Sequence, residues 1–263
     1  MLTQHTSAEY LSPIKLLSGQ HRALTHIALF TERRHIFVKA YPAEAPRGLL
    51  NDIVGYLVAR HAGIHQPPGG VIELPAFVLA RIGIVSQEPS VWCFASTSCI
   101  DLDNRRHGSL SALFGNNIEA LRPILEKWPG FPTLVAFDAW LANVDRNTGN
   151  LILNGENSLL PIDHSDILTG PSWNAQHLID AEECNTLNKL IDIIWPIPLL
   201  PLPVRSAILK STERFESAYA SARSDLYRWM DGGNQDTHRG HHFIWKRSST
   251  SKENLASKLE MIL

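Results

Sequence analysis

The stretch NVDRNTGNLILNGENSLLPID, residues 143–163, decides how this chain is read. Two short apolar runs, Leu151-Ile152-Leu153 and Leu159-Leu160-Pro161-Ile162, flank Asn154-Gly155, a dipeptide suited to the positive φ angles of a tight turn. The spacing predicts a β-hairpin. Its second strand brings Asp163 back beside Asn150, although thirteen positions separate them in sequence. Upstream, Leu134, Phe137, Trp140 and Leu141 recur at near-helical intervals between Phe131 and Asn143, so a helix delivers the chain to Asp145. The polar segment from Asp145 to Asn150, which contains Gly149, reads as a loop.

Asp145, Asn150 and Asp163 match the few protein groups that phosphoryl transfer needs. These are a carboxylate to position the nucleophile and oxygen ligands for the magnesium ion that neutralises a triphosphate. Asp145 suits the first role, and Asn150 and Asp163 suit the second. Taken singly, Asp145 or Asn150 reads as turn chemistry in a surface loop. The three together, with a hairpin between them, favour a site.

The interval from Asp145 to Asn150 equals the D-x-x-x-x-N interval of the protein-kinase catalytic loop, without the His-Arg that precedes the Asp there. The segment FDAWLANVDRNTGNLIL (137–153), followed by PIDHSD (161–166), resembles the HipA-like kinases and, more distantly, the phosphatidylinositol 3/4-kinase-like group. On that resemblance Asp145 matches the catalytic Asp and Asn150 and Asp163 match the metal ligands. His164 matches the structural member of an Asp-His dipeptide. The resemblance implies an ATP- and Mg2+-dependent phosphotransferase, in the first place a protein serine/threonine kinase with a protein substrate. Some members of that family are toxins paired with an antitoxin, which makes a regulatory protein partner an expectation. Two alternatives stay open: a kinase-shaped nucleotide-binding module without catalysis, and a lipid or small-molecule kinase.

A kinase also needs a cation for the α/β-phosphates and an acidic partner to hold it. Lys39 closes the strand-like run His35-Ile36-Phe37-Val38-Lys39 and is the candidate cation. The segment from Leu49 to Ala62 has a helical apolar face of Leu50, Ile53, Val54, Leu57 and Val58, and Asp52 near its start is the candidate partner. Asp52 stands where the family usually carries the longer Glu, and a helix-start Asp also has an ordinary reason in the helix dipole. For the phosphate-covering loop the chain offers Ser18, Gly19 and Gln20, which fit by resemblance and equally fit an ordinary turn.

The order of patterns predicts an α+β, bilobal, protein-kinase-like fold. Strands are expected over Thr25 to Thr31, His35 to Ala40, Phe77 to Ile84 and Ser90 to Ser96 around the helix from Leu49, with a loop at Gln66 to Gly70. Helices follow over Ser109 to Phe114, Asn117 to Trp128, Phe131 to Asn143, Ala175 to Leu190, Val204 to Arg228 and Lys252 to Met261. A strand-rich lobe over 1–97 and a helical lobe over 98–263 would enclose a nucleotide between them. The connection is placed at Phe94 to Ser98, where the backbone around Ala95 would hydrogen-bond the adenine ring.

Bulk properties narrow the field. The chain has 263 residues, enough for a sizeable core, and its 24 Lys plus Arg against 26 Asp plus Glu argue against a dedicated nucleic-acid or anionic-membrane binder. Cys93, Cys99 and Cys184 lack C-x-x-C spacing, so neither a disulfide framework nor a structural zinc site is indicated, and a cytoplasmic location is expected. The N-terminus lacks a secretory pattern, and charges or prolines interrupt the apolar stretches Val71 to Ser86 and Leu190 to Val204, so no membrane span is expected. The His-rich run Thr237 to His242 reads as a solvated loop. Trp140 and Trp173 read as core residues near the site.

Overall fold

The computed structural model of the chain describes residues 2–17, 23–98, 108–155, 158–182, 189–195, 199–230 and 234–261. The first part runs β1 (Thr3–His5), β2 (Tyr10–Leu16), β3 (Leu24–Phe30), β4 (His35–Ala40), α1 (Gly48–His61), β5 (Gly69–Pro75), α2 (Ala76–Ala80) and β6 (Ser90–Thr97). Its six strands form one sheet in the order β1-β5-β6-β4-β3-β2, antiparallel throughout except for the parallel pair β1 and β5.

The two faces of this sheet do different work, and the period of two along each strand assigns residues to them. In β4, Ile36, Val38 and Ala40 are buried in a core that also holds Phe30, Leu74, Leu79 and Cys93. The alternating residues Phe37 and Lys39 face a cleft. Register carries the alternation across the sheet: Lys39 lies opposite Thr25 on one side and Phe94 on the other, and both partners line that cleft. The alternation along β4 therefore assigns Phe37 and Lys39 to the side of the sheet that lines the cleft.

Two expectations fail here. The segment Phe77 to Ile84 is not a strand. It is the short helix α2 followed by a turn in which Ile84 N donates to Leu79 O at 3.0 Å, and Leu79 is buried while Phe77 is exposed. The strand begins earlier, at Gly69, inside the expected loop. A short apolar run has no decisive period, and Pro75 ends the strand before the expected one begins at Phe77.

The second part is helical. It runs α3 (Leu110–Phe114), α4 (Ile118–Lys127), α5 (Phe131–Trp140), β7 (Leu151–Leu153), β8 (Leu159–Pro161), α6 (Ala175–Asp180), α7 (Lys189–Ile194), α8 (Leu202–Ser211), α9 (Phe215–Met230) and α10 (Gln235–Lys258). Helix α5 is buried almost all round, with Leu134, Val135, Ala136, Phe137 and Trp140 each at most 0 % exposed, as an apolar helix at the centre of a lobe must be. Trp140 stacks on Phe215 at 4.5 Å and donates Nε1 to Ile244 O at 2.9 Å, so this helix is keyed to both α9 and α10.

Three helical expectations need correction. The helix expected over Ala175 to Leu190 ends at Asp180, and Lys189 opens α7. The one expected over Val204 to Arg228 is two helices separated by a 3-10 turn at Thr212–Arg214. The run Thr237 to His242 is not a solvated loop but the start of α10, in which Asn234 Oδ1 accepts Thr237 N at 2.9 Å as an N-cap and His241 is buried against Tyr219 and Tyr227. No helix among the described residues is long and apolar enough to cross a membrane.

Candidate active site

The hairpin forms as its sequence predicts. Strands β7 and β8 pair Leu151 with Pro161 and Leu153 with Leu159, and Asn154 N donates to Ser158 O at 2.8 Å across a turn in which Gly155 takes φ +90°. That register returns Ile162 N to within 3.0 Å of Asn150 O, and Asp163 follows immediately. Asn150 and Asp163 both line the same cleft.

Beneath the hairpin lies a buried ion pair. Asp138, inside α5, and Arg146, directly after Asp145, are both 0 % exposed, and Arg146 Nε meets Asp138 Oδ2 at 3.0 Å. The remaining guanidinium donors go to Ile162 O at 2.5 Å and to His164 Nδ1 at 3.2 Å. Asn143 completes the arrangement by donating to Asp138 Oδ1 at 2.9 Å while accepting Asp145 N at 3.1 Å. Arg146 thus bolts the loop that carries Asp145 to the strand end that carries Asp163. A charge this deep persists only when its partners satisfy it.

Asp145 itself is partly exposed. Lys189 Nζ, from α7, donates to its Oδ1 at 2.6 Å, and Asn150 Nδ2 and Asn147 Nδ2 donate to its backbone carbonyl at 3.2 and 2.8 Å. Asn147 also caps the 3-10 turn Thr148–Asn150 by accepting Gly149 N at 2.8 Å. Asp145 does not line the cleft, but Asn150, bonded to its carbonyl, does.

Lys39 sits between two carboxylates, with Nζ 3.2 Å from Asp52 Oδ2 and 2.9 Å from Asp163 Oδ1. Burial works against the ammonium, but the two carboxylates outweigh it and raise its pKa. Burial also opposes ionisation of Asp163. Lys39 and the hydrogen bonds from Ser165 N at 3.2 Å and Ser165 Oγ at 2.7 Å prevail and hold its carboxyl well below the usual carboxylate range. All three contacts fall on Oδ1, so Oδ2 is the oxygen left for a cation. Burial pushes the Asp52 carboxyl up, against the pull of Lys39.

Asp163 takes a left-handed backbone, φ +61°, which for a residue other than glycine costs on the order of 1 kcal/mol. The conformation is held by the next peptide, because His164 N donates to Asp52 Oδ1 at 2.7 Å. The His164 ring is neutral. Burial first and the Arg146 charge second push its pKa well below the ordinary histidine value. Since Arg146 only donates, Nδ1 accepts and the proton resides on Nε2, where it meets Gln66 Oε1 at 3.0 Å. Gln66 is oriented in turn by donating to Tyr56 O at 2.7 Å. With both nitrogens committed, His164 supports the loop and performs no proton transfer.

The cleft measures about 420 Å³ and lies between the sheet of the small lobe and the hairpin with α3 of the large one. Phe37, Tyr56, Phe94, Ile152 and Pro161 give it an apolar wall, and Lys39, Asn150 and Asp163 gather at the polar end. Such a volume, mostly apolar with a few convergent polar groups, suits a small organic ligand with a charged tail.

Ala95 is not part of the wall. It lies within β6 between Val38 and Gly70, with its side chain in the core on the opposite face, and Ser96 and Thr97 line the cleft instead. The expected backbone contact of Ala95 with an adenine ring meets a strand that is paired on both sides, with Val38 of β4 and Gly70 of β5. Ser18, Gly19 and Gln20 lie outside the described residues. Among the described residues no group of three His, Cys, Asp or Glu is placed to hold a metal. An amide and one ionised carboxylate, both hard oxygen donors, nevertheless fit a magnesium ion that takes its remaining ligands from phosphates and water.

Sequence reasoning missed Tyr41, Gln66, Asp138 and Lys189. Asp138 and Arg146 form an i, i+8 pair across a helix end, for which no local pattern exists. Lys189 arrives from a helix forty-four positions beyond Asp145.

The fold is a bilobal, kinase-like one, with a strand-rich lobe followed by a helical lobe. The chain is similar to the Helicobacter pylori proinflammatory kinase CtkA, with 13 % identity, 100 % of each chain covered and a TM-score of 0.60. It is also similar to HipA from the toxin–antitoxin system of Shewanella oneidensis MR-1, whose structure is a complex with HipB and operator DNA (10 % identity, 94 % of this chain and 66 % of that chain, TM-score 0.49). A third likeness is to the golgi casein kinase, with 12 % identity, 95 % of this chain and 71 % of that chain covered and a TM-score of 0.49. No family model matches the sequence, and no curated protein matches it. The likeness is one of fold.

Proposed function

We propose that this protein is an ATP- and Mg2+-dependent phosphotransferase that transfers the γ-phosphoryl group to a Ser or Thr hydroxyl of a protein in the cytoplasm. The observation that carries the reading is the sharing of Lys39 between Asp52 and Asp163 at the polar end of a cleft that Asn150 also lines. We divide the lobes at residues 97 and 98, with the adenine against the apolar wall.

In this reading Lys39 holds the α/β-phosphates, and Asp163, through Oδ2, and Asn150, through its amide oxygen, would hold the magnesium ion. Bound there, the ion neutralises charge on the phosphate oxygens. Arg146 and its buried partners keep Asp145 and Asp163 at a fixed separation. Asp145 orients the acceptor hydroxyl through Oδ2, which Lys189 does not bind and Asn147 Nδ2 meets at 3.5 Å, and takes its proton. The hydroxyl oxygen bonds to the γ-phosphorus as the bond from that phosphorus to the β–γ bridging oxygen breaks, and ADP leaves.

The test is transfer of label from γ-labelled ATP to the protein itself or to a Ser/Thr-rich protein acceptor, in Mg2+ and in EDTA, with phosphoamino-acid analysis of the product. Transfer that requires Mg2+ and is lost in Asp145→Ala is the expected result. Intact, Mg2+-dependent nucleotide binding without any transfer would favour a second reading, a nucleotide-responsive module. The Lys189 ammonium seated on the Asp145 carboxylate is the observation on its side.

A further inference from the structure

We propose that Tyr41 is a positioning residue of the nucleotide site, whose hydroxyl holds the Asp52 carboxylate where it serves Lys39 and the peptide after Asp163 together. The inference rests on the reading of the cleft as a nucleotide site. Tyr41 follows β4 by one residue and stands two positions after Lys39, so strand alternation sends both side chains to the same face. Its hydroxyl donates to Asp52 Oδ2, the same oxygen that receives Lys39 Nζ at 3.2 Å. The other oxygen, Oδ1, receives His164 N at 2.7 Å. One carboxylate therefore accepts from the sheet, from the strand end and from the peptide that follows Asp163.

Asp52 is 1 % exposed, and its burial opposes the charge that Lys39 and His164 N need it to carry. Three donors answer that penalty; two would leave a buried carboxylate under-compensated. The phenol is a permanent donor. Burial, with Asp52 and Asp163 nearby, pushes its pKa well above the ordinary value, so it stays protonated. Its ring is also fixed in place. A Cβ on Gly48, at the first position of α1, would stand 2.1 Å from the ring carbon Cδ1, so the ring occupies space that only glycine vacates. Because α1 also carries Asp52, the contact of Tyr41 with Gly48 sets the distance of that helix from Lys39.

Without the hydroxyl, Asp52 loses one of the two hydrogen bonds on Oδ2, the carboxylate can turn toward Lys39, and Lys39 leaves the position from which it meets Asp52 and Asp163 together. The space freed by Tyr41→Phe is about that of one methylene beside Oδ2. Asp52→Glu adds one methylene and extends the carboxylate back toward Lys39, so the two changes together conserve volume.

The experiment is titration of Mg·ATP into the wild type, Tyr41→Phe, Asp52→Glu and the double variant, with the melting temperature of each. Tyr41→Phe is expected to weaken Mg·ATP binding about tenfold, as the loss of a hydrogen bond to a charged group does. The double variant is expected to recover to within about threefold of the wild type. Asp52→Glu alone, crowded against the phenol, is expected to bind more weakly than the double variant. Wild-type affinity in Tyr41→Phe, or a double variant no better than either single one, overturns the proposal. Should Tyr41→Phe not fold, the comparison of Asp52→Glu with the double variant decides. Should the wild type bind no Mg·ATP, the nucleotide reading has failed, and coupling of the two positions in melting temperature still tests the Tyr41–Asp52 pairing: additive shifts refute it.

Discussion

Asp145 and Asp163 lie eighteen positions apart and receive a lysine each, yet the two regions are built on opposite terms. Asp163 stands over a buried network in which Lys39, Asp52, Tyr41, Ser165, His164 and Arg146 hold one another through hydrogen bonds and ion pairs. The Asp145–Lys189 pair lies at the surface, with side chains 36 % and 53 % exposed, and such pairs contribute about 0–1 kcal/mol. The difference separates holding from reacting. On the proposed reading, the end around Asp163 would be preorganised for metal and nucleotide at the expense of desolvated charges, while Asp145 would keep a carboxylate whose partner can leave when a hydroxyl arrives.

The contrast breaks most severely at Arg146. Replacement by Met removes the cation that faces the buried Asp138 carboxylate, an expected loss of about 3–5 kcal/mol in unfolding free energy by denaturant titration. A loss under 1 kcal/mol would show that the loop and the hairpin end are not bolted together as described.

Acid gives the next largest effect. His26, which burial lowers to about 4, and His164 and His241, also lowered, are neutral in the folded protein. The unfolded chain binds protons at these positions near pH 6.5 and the folded one binds them only at lower pH, so their contribution is full above that pH and is lost as pH falls through the folded values, for His26 about 4. His26 alone accounts for about 3 kcal/mol over that window. Asp163, held low, contributes above the ordinary carboxylate range and loses its contribution only as pH falls below it. Urea melts between pH 7 and pH 4 should therefore lose stability before carboxylates titrate, and His26→Phe should flatten the upper part of that loss.

The smallest stability effect is expected at Lys189. Its replacement by Met should change unfolding free energy by less than about 1 kcal/mol and leave Mg·ATP affinity unchanged, while altering the KM for the acceptor. A shift in nucleotide affinity as large as that in acceptor KM would place Lys189 with the rigid end instead.

The sequence was legible where structure is local. The hairpin around Asn154-Gly155, the helix into Asp145 and the face of β4 that presents Lys39 all follow from turn chemistry and period, and they placed Asn150 and Asp163 on one cleft. Legibility failed where tertiary context chose between equal options. The apolar residues from Val71 to Ile84 gave no reason to put the strand first and the helix second, and the polar surface of Thr237 to His242 concealed a helix whose only local signal was the Asn234 cap. Ala95 was placed at the connection between the lobes, but β6 runs through Thr97 with β4 and β5 paired on its two sides. Tyr41, Gln66 and Lys189 carry no motif, because each acquires its role from a partner that only the fold supplies.

The central claim is that Asp163 binds the metal–nucleotide complex and Asp145 serves the acceptor. Isothermal titration of ATP with and without Mg2+ into the wild type, Asp145→Asn and Asp163→Asn tests it most directly. Affinity that needs Mg2+, is kept within about threefold in Asp145→Asn and falls by at least about tenfold in Asp163→Asn is the predicted outcome. Equal losses in both variants, or wild-type affinity indifferent to Mg2+, would contradict it.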